Sequence, residues 1–458
     1  MKEKKYFSLI CFTGAGSKLL QAQLNNAEDV FSIPAYPLMY FPLFFEEWKI
    51  KHKNLTIFKI LKLIIKHHKS IIDSRYFKGF NGLNNLGKNQ TSFIKINEKK
   101  FKEGFLKFMI DKSVTQKNVI LAIHYAYQFA IKDKSKNILY HNHSIEIYNK
   151  YLINDFSMSK ILAITRNPIY NFWRRGYADG NIEKERFDAS DCEYIKNYRY
   201  INRLRDLYIN FKSLNQTFKK NCFFFTFENL KTNNFLFLKK LCSVLKLKFN
   251  YGKIRDPKFN NKAWVGHKIY KGFDKRKSFV KDHFNSLDDL KPFYKYEMLV
   301  LKLALLPFIK KFKYEKRKNF KNKFLNNFNF FLKVLMPTKY GINLFISRLS
   351  LINFYNYILN VFHEAFKKNK MKNYYQNGMY RFKWSYRITY LINFNFLRRI
   401  TYFSKQNYLI GSFYLFSKIL IYFILQVELI FLYFVRIYLL ISLFFMVEKK
   451  VKYMKLVY

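Results

Sequence analysis

The segment at residues 8–20, Ser-Leu-Ile-Cys-Phe-Thr-Gly-Ala-Gly-Ser-Lys-Leu-Leu, contains residue types that could bind an anion. A hydrophobic run leads into Gly14 and Gly16, which are followed by Ser17, Lys18 and an apolar helical stretch. This order predicts a strand, a tight turn and a helix N-terminus whose backbone N–H groups face a phosphate or a similar group. A plain tight turn is the alternative, because the segment has neither the GxxxxGK[ST] spacing nor the third glycine of a dinucleotide fingerprint.

A second candidate anion ligand, Arg166, follows the apolar run 161–165. Asn167-Pro168 comes next and predicts that the strand ends there and that a helix begins. Because open α/β sheets bind ligands at the carboxyl ends of their strands, we expect Arg166 to face the same ligand as the first loop. A third strand-like run, 222–227, leads into Glu228-Asn229-Leu230 and an amphipathic helix.

The elements around these segments predict an α/β domain with a mainly parallel sheet flanked by helices. Short β-branched or aromatic runs alternate with helical stretches in residues 1–50 and 115–250. We expect this domain to cover residues 1–298, with a Lys-rich helical insertion at about 52–115, and residues 299–458 to form an all-α C-terminal extension. The predicted strands are 7–13, 119–124, 161–165 and 222–227.

The composition excludes several classes of protein. The 458 residues are 50% hydrophobic, which argues against wholesale disorder, and the 14 glycines and 4 scattered cysteines argue against collagen-like and disulfide-scaffold chains. Lys and Arg number 83 against 30 Asp and Glu, a net charge of +53 that attracts phosphates of any carrier. A genome biased towards A and T is an alternative source of the many lysines.

Taken in order, the three segments resemble the sulfotransferases that use 3′-phosphoadenosine 5′-phosphosulfate (PAPS). In that family the first strand–loop–helix holds the 5′-phosphosulfate, and a strand ending in Arg-Asn-Pro or Arg-Asp-Pro holds the 3′-phosphate. Thr165-Arg166-Asn167-Pro168 is similar to the second block, and Phe227-Glu228-Asn229-Leu230 is similar to the family's Tyr-Glu-Asp-Leu segment, for which we expect a structural role. The resemblance covers about residues 5–295 and implies a P-loop-like sulfotransferase fold.

The resemblance implies that PAPS is held by the first loop, by the Arg-Asn-Pro block and by a late basic loop. Where the family has a serine eight residues after the Arg, this chain has Arg174, whose guanidinium can also bind a phosphate. A solvated Lys-rich loop is the alternative for the late segment. The PAPS-binding residues implied in this way are Gly14, Ala15, Gly16, Ser17, Lys18, Leu19, Arg166, Arg174, Lys271, Gly272, Lys275 and Arg276.

Sulfuryl transfer needs a base for the acceptor's proton and positive charge near the leaving phosphate, which Lys18 is expected to supply. The resemblance implies His143 as the first candidate base, because cytosolic members keep a catalytic histidine a short way before the Arg block. Glu46 is similar to the helical glutamate of heparan-type members, and His124, at a predicted strand end, is a third candidate. The alternatives are a satisfied core histidine for His124 or His143 and a solvated helix face for Glu46.

The sequence predicts no metal site, because the histidines lack companion cysteines or paired carboxylates at ligand spacing. The resemblance likewise implies a reaction that needs PAPS but no metal. The implied acceptor is a hydroxyl or an amine, on a carbohydrate or a lipid-linked glycan by analogy with the family. No specific nucleic-acid partner is expected.

Residues 409–447 are almost entirely apolar, but charged residues interrupt the run, so peripheral membrane contact is expected rather than a spanning helix. The apolar stretch 6–12 is shorter than the core of a secretory signal, and none is expected. These features predict a cytoplasmic protein, with attachment to the inner face of the cytoplasmic membrane as a further hypothesis.

Two other function classes stay open. A P-loop-type kinase or phosphotransferase would also use an anion-binding first loop, although no Walker-B-like run ending in Asp follows it. A non-catalytic basic protein that binds membranes or nucleic acid would also explain the charge, and its binding would weaken with salt.

Overall fold

The central element of the fold is a parallel β-sheet. A computed structural model describes residues 5–12, 14–52, 54–76, 83–157, 159–173, 204–214, 221–264, 295–314, 335 and 433–457. Within these residues, five strands pair side by side in the order β2-β3-β1-β4-β5, and every pairing is parallel. The strands are β1 (Lys5–Cys11), β2 (Val30–Phe31), β3 (Asn137–Asn142), β4 (Lys160–Thr165) and β5 (Cys222–Thr226), and a separate antiparallel pair consists of β6 (Lys258–Phe259) and β7 (Lys262–Ala263).

Helices connect the strands and cover the sheet. In chain order they are α1 (Ser17–Leu24), α2 (Phe41–Lys51), α3 (Ile57–His67), α4 (Glu98–Met109), α5 (Gln116–Ile131), α6 (Ile145–Ile147), α7 (Pro168–Trp173), α8 (204–214), α9 (Phe227–Thr232), α10 (Asn234–Leu245), α11 (Tyr251–Ile254), α12 (Lys295–Ala304), α13 (Leu306–Lys311) and α14 (433–451). Short 3₁₀ turns follow α3 at Lys69–Ile71 and Ser74–Tyr76, and a π-helical turn follows α6 at Tyr148–Leu152. The α/β class expected from the sequence is therefore confirmed.

The sheet is buried on both faces, which is the usual state of parallel strands. Every residue of β3 is buried, as are the last five residues of β1 and of β4. Three predicted strands are confirmed within a residue or two, because 7–13, 161–165 and 222–227 overlap β1, β4 and β5.

The fourth predicted strand, 119–124, is wrong, because these residues lie inside α5. Thr115 begins that helix by accepting a hydrogen bond from the backbone N–H of Asn118. The buried positions, among them Val119, Ile123 and Tyr127, recur at helical spacing. The strand that pairs with β1 on this side is β3. The sequence pattern does not indicate it, because β3 contains Asn and His among its apolar residues.

The expected insertion at about 52–115 contains α3 and α4. Both begin at a side chain that accepts a backbone hydrogen bond, Thr56 for α3 and Asn97 for α4. The close packing of α4 against α5 is set by Gly104, where an added Cβ would lie 2.9 Å from the Cβ of Phe129. The insertion thus packs on the domain through α5.

The C-terminal part of the chain returns to the sheet. Phe224 of β5 donates its backbone N–H to the carbonyl of Lys455 at 2.9 Å, and Val457 donates to the carbonyl of Phe224 at 3.0 Å. The expectation of an all-α extension did not include this parallel bridge beside β5. None of the helices among the described residues combines the length and the apolar character that crossing a bilayer requires.

An aromatic cluster between α2 and α3 fixes the segment that leads from β2 towards the sheet edge. His68 is buried against Phe41, Phe44 and Trp48, with ring centroids 5.2–6.2 Å away. Its Nδ1 lies 3.2 Å from the carbonyl of Pro37. Burial lowers the pKa of His68 to about 4, an effect that the Pro37 carbonyl opposes and His67 reinforces.

Because the folded state holds His68 neutral, we expect the free energy of unfolding to fall as the pH drops from about 6.5 towards 4. Above about 6.5 this stability is fully present, since the unfolded state then binds no extra proton. His68→Leu should flatten the pH dependence, by up to about 1.4 kcal/mol per pH unit. Urea unfolding at intervals between pH 7.5 and 4.5 gives the free energy of unfolding against pH for the parent and for His68→Leu. Parallel pH dependences for the two proteins would contradict the expectation.

Candidate functional site

The candidate site lies at the carboxyl ends of β1, β3 and β4. The chain leaves β1 towards β2 and β3 on one side of the sheet and then crosses to β4 on the other side. The point between β1 and β4 is therefore a topological switch point, where open α/β sheets form their ligand crevice. The two strands stay paired to their last residues, since Cys11 lies opposite Ile164 and the N–H of Phe12 donates to the carbonyl of Ile164 at 3.1 Å.

The loop after β1 turns sharply into α1. The N–H of Ala15 donates to the carbonyl of Phe12 at 3.0 Å, and Gly14 and Gly16 have φ angles of 89° and 79°. Gly16 immediately precedes α1 and provides no side-chain cap, so the first amides of the helix are directed to the crevice side without a capping side chain. The strand, glycine turn and helix predicted from the sequence are present.

Phe227 joins this loop to Arg166. A Cβ built on Gly16 would lie 2.1 Å from Cδ2 of Phe227, so the ring contacts the loop backbone where only glycine fits. The guanidinium carbon of Arg166 lies 4.8 Å from the centroid of the same ring, and Nζ of Lys231 lies 5.8 Å from it. The loop and Arg166 therefore lie against the same aromatic ring, at the switch point where open α/β sheets form their ligand crevice.

Arg166 is 5% exposed and sits in a network with Glu228 and Tyr314. The N–H of Asn167 donates to Oε1 of Glu228 at 2.8 Å, which fixes the turn after β4. Burial raises the pKa of Glu228, while the Asn167 amide and the Arg166 charge act in the opposite direction. Burial, followed by the nearby Glu228 carboxyl, raises the pKa of Tyr314.

His143 and Lys18 both lie next to Tyr36. Nδ1 of His143 lies 3.3 Å from Oγ of Ser17 and 3.1 Å from Sγ of Cys11. The imidazole stacks on Tyr36, with centroids 4.4 Å apart and planes inclined by 16°, and Nζ of Lys18 lies 5.7 Å from the same Tyr36 ring. Of the three proposed catalytic side chains, these two are brought together.

The other two candidate bases lie elsewhere. Glu46 is on the outer face of α2, with its side chain 45% exposed and its carboxylate paired with Lys49 at 3.1 Å. His124 is buried in α5, where its Nδ1 lies 2.8 Å from the carbonyl of Ile120. The environment of each agrees with its structural alternative, a solvated helix face for Glu46 and a core histidine for His124.

The remaining predicted PAPS ligands divide into two groups. Ala15 is buried, and Leu19 packs partly buried against the core beside the loop. Arg174 and the late-loop residues lie outside the described residues, the latter being Lys271, Gly272, Lys275 and Arg276.

Sequence reasoning missed three side chains at this edge, Cys11, Tyr36 and His141. His141 is 4% exposed, and burial lowers its pKa to about 3, with Lys18 contributing to that direction. The His-Asn-His pattern at 141–143 was a usable signal, because residues two apart in a strand lie on the same face. The signal is usable only if residues 137–142 are identified as a strand, and the predicted strands do not include them.

A surface cavity of about 600 Å³ opens beside the same crevice, where α9 meets α10. Lys231, which approaches the Phe227 ring, lines it. Gln23 of α1 donates to the carbonyl of Arg255, another lining residue, at 3.0 Å and so ties the cavity wall to the loop helix. The remaining walls include Asn234, Phe235 and Tyr251.

Comparisons of the chain with protein-family models, with curated proteins and with solved structures give no match. The fold defines an α/β protein with a mainly parallel five-stranded sheet, and its candidate site lies at the switch point of that sheet. The function of the protein must be inferred from the side chains that border that site.

Gly16→Ala should destabilise the protein more than Gly87→Ala. Both glycines have positive φ, 79° and 82°, but at Gly87 the nearest atom to an added Cβ is Oγ of Ser92 at 3.3 Å, whereas at Gly16 it is the Phe227 ring. We expect about 1–2 kcal/mol for Gly87→Ala from the left-handed backbone. Gly16→Ala should lose a further 1–3 kcal/mol, roughly, from overpacking.

Urea unfolding of the two variants and the parent measures this difference. Equal losses would show that Phe227 moves aside without cost and does not fix the loop.

Proposed function

We propose that the protein transfers a sulfuryl group from PAPS to a hydroxyl or amine acceptor, using a P-loop-like sulfotransferase site. The observation that carries the proposal is the shared crevice of the β1 loop and Arg166 across the paired ends of β1 and β4. PAPS carries negative charge at two separated positions. Its two charged ends match the two positive sites, the first loop with Lys18 and the Arg166 guanidinium, which the sheet holds at a fixed spacing.

The first-loop amides, Ser17 and Lys18 are the proposed ligands of the 5′-phosphosulfate. Helix N-terminal amides and an ammonium group favour the negative charge that builds on the bridging oxygen as the bond to sulfur breaks. Arg166 is the proposed ligand of the 3′-phosphate, because a guanidinium can donate two parallel hydrogen bonds to phosphate oxygens. Lys231 adds a further positive charge near the Phe227 ring, against which Arg166 also lies.

In the proposed reaction the acceptor oxygen or nitrogen attacks sulfur, and the bond from sulfur to the phosphate oxygen breaks. The electron pair leaves with adenosine 3′,5′-bisphosphate, and His143 accepts the acceptor's proton. Stacking on Tyr36 holds the imidazole plane, so that the ring is already oriented before the acceptor arrives. Lys18, near the same tyrosine, is suited to neutralising the leaving group.

We further propose a carbohydrate or lipid-linked glycan as acceptor and peripheral contact with the inner face of the cytoplasmic membrane. Helix α14 supports this, because Leu439, Leu440 and Leu443 face the core while Phe434, Tyr438 and Phe445 are 59–62% exposed. An amphipathic helix with exposed aromatic residues on a strongly basic protein suits an anionic membrane surface.

Lys18→Ala and Arg166→Gln should each weaken binding of adenosine 3′,5′-bisphosphate at least about tenfold, since a charged hydrogen bond contributes roughly 1.5–3 kcal/mol. Calorimetric titration of the full chain measures this. Lys102→Ala is the matched control, because Lys102 pairs with Glu98 on α4 and its loss removes the same charge.

Unchanged binding in both site variants would overturn the nucleotide assignment and favour a non-specific basic protein. A radiolabelled-donor assay separates the remaining classes. Transfer from PAPS that persists when Mg²⁺ is omitted supports a sulfotransferase, whereas transfer from ATP that requires added Mg²⁺ would support a kinase.

Replacing Phe434, Tyr438 and Phe445 together by Ser should reduce flotation with vesicles of anionic lipid by several-fold, because their apolar area no longer enters the interface. A matched triple variant replaces Ile50, Phe58 and Ile110, which are exposed on other helices or at their ends. Equal losses in the two variants would contradict a specific role for α14.

A further inference from the structure

Three side chains next to the first loop, Cys11, His141 and His143, place one sulfur and two nitrogen atoms that could bind a metal close together, without a carboxylate. Cys11 ends β1, and His141 and His143 lie at the end of the adjacent β3. One ligand atom from each lies within 4.8 Å of the others. In the parallel register Leu9 pairs with His141 and Ile10 with Asn142, so Cys11 and the two histidines occupy the same face of the sheet.

His141 has one ring nitrogen in hydrogen bonds and one buried ring nitrogen outside them. Its Nδ1 lies 2.9 Å from Oε1 of Gln21 and 3.1 Å from the carbonyl of Ala35, and both partners are acceptors. The Gln21 amide is oriented by its Nε2, which donates to the carbonyl of Ile33 at 2.7 Å. His141 therefore carries its proton on Nδ1, and Nε2 has a lone pair.

That Nε2 has no hydrogen-bond partner among the residues that the structure describes. A buried polar atom without a partner costs about 1–3 kcal/mol, and such atoms are rare unless a water, an ion or a function accounts for them. Histidines that bind metals usually donate their other ring N–H to a carbonyl or a carboxylate, as His141 does here.

The other two donors are already close. Nδ1 of His143 lies 3.1 Å from Sγ of Cys11, and the stack on Tyr36 fixes the plane of that imidazole. Around a tetrahedral zinc ion, sulfur and nitrogen ligands lie about 3.3–3.6 Å from one another, given metal–ligand bonds of about 2.0–2.3 Å. The three donor atoms lie within 4.8 Å of one another, so shifts of about 1 Å would bring them to those separations.

We propose that Cys11, His141 and His143 bind a thiophilic divalent cation of the zinc type. One thiolate and two neutral imidazoles suit Zn²⁺ better than Mg²⁺ or Ca²⁺, which prefer oxygen ligands. Binding releases the thiol proton of Cys11 to solvent and forms one metal–sulfur and two metal–nitrogen bonds.

The cluster borders the first loop, because Oγ of Ser17 lies 3.3 Å from Nδ1 of His143. A site with three protein ligands leaves a fourth coordination position for water or an anion. Lys18 acts electrostatically on His141 and opposes the cation, and the thiolate offsets part of that repulsion.

Cation binding at this cluster requires neither PAPS nor an acceptor and is independent of the sulfotransferase proposal. A cation on Nδ1 of His143 would, however, occupy the lone pair through which that nitrogen accepts a proton.

The test uses the full-length protein, stripped of metal by a chelator, dialysed and titrated with Co²⁺. We expect one equivalent to produce the visible bands of a tetrahedral site and a thiolate-to-cobalt band in the near ultraviolet, and Zn²⁺ to abolish both. Cys11→Ser should remove the thiolate band, and His141→Gln should weaken Co²⁺ binding at least tenfold. Zn²⁺ should also raise the melting temperature of the parent but not of folded Cys11→Ser.

Two variants are matched controls. Cys222→Ser removes another buried thiol, and His68→Asn removes another buried histidine whose Nε2 has no hydrogen-bond partner among the described residues. Both should keep the spectrum. A parent that is folded by circular dichroism yet shows no thiolate band, or a band that survives Cys11→Ser, would overturn the proposal. Titration of the same preparations with adenosine 3′,5′-bisphosphate reads the nucleotide site separately, so the failure of one proposal is distinguishable from the failure of the other.

Discussion

The parallel pairing of β1 with β3 on one side and with β4 on the other is the constraint on which the site depends. It aligns three strand ends, so that the first loop, the two histidines at the end of β3 and Arg166 after β4 lie at one edge. The pairing is stable because both faces of the sheet are covered, which leaves these strands almost no route to slip without exposing apolar side chains.

The electrostatics of the edge follow from how Arg166 is held. A buried guanidinium needs compensation, and Glu228 supplies it from the start of α9. Burial raises the pKa of that carboxyl, while the Asn167 amide and the Arg166 charge act in the opposite direction. Phe227 beneath the guanidinium excludes water from one side, which strengthens the field in the crevice.

Much of this arrangement could be predicted from the sequence, but only for the elements whose position depends on neighbouring residues in the chain. The ends of β1, β4 and β5 follow from apolar runs bounded by glycine, proline or a polar residue, and the sequence predicts these three strands within a residue or two. By contrast, β3 is buried although it includes Asn137, His141 and Asn142, because their side chains bond to distant partners such as Asp29, Gln21 and Met39. Such partners cannot be read from a single run of residues. Tyr36 lies in an irregular segment, so no helical or strand periodicity in the sequence indicates that it reaches the site.

His143 is where the two proposed activities of the crevice meet. Its stack on Tyr36 leaves the imidazole little freedom to rotate out of plane, and the ring edge faces both Sγ of Cys11 and Oγ of Ser17. With the proton on Nε2, Nδ1 has a lone pair that can accept a proton or bind a cation, but it cannot do both at once. With the proton on Nδ1, the same nitrogen can only donate to its neighbours. The tautomer of this one histidine therefore decides between base, metal ligand and hydrogen-bond donor, and the cation and the acceptor hydroxyl compete for the same electron pair.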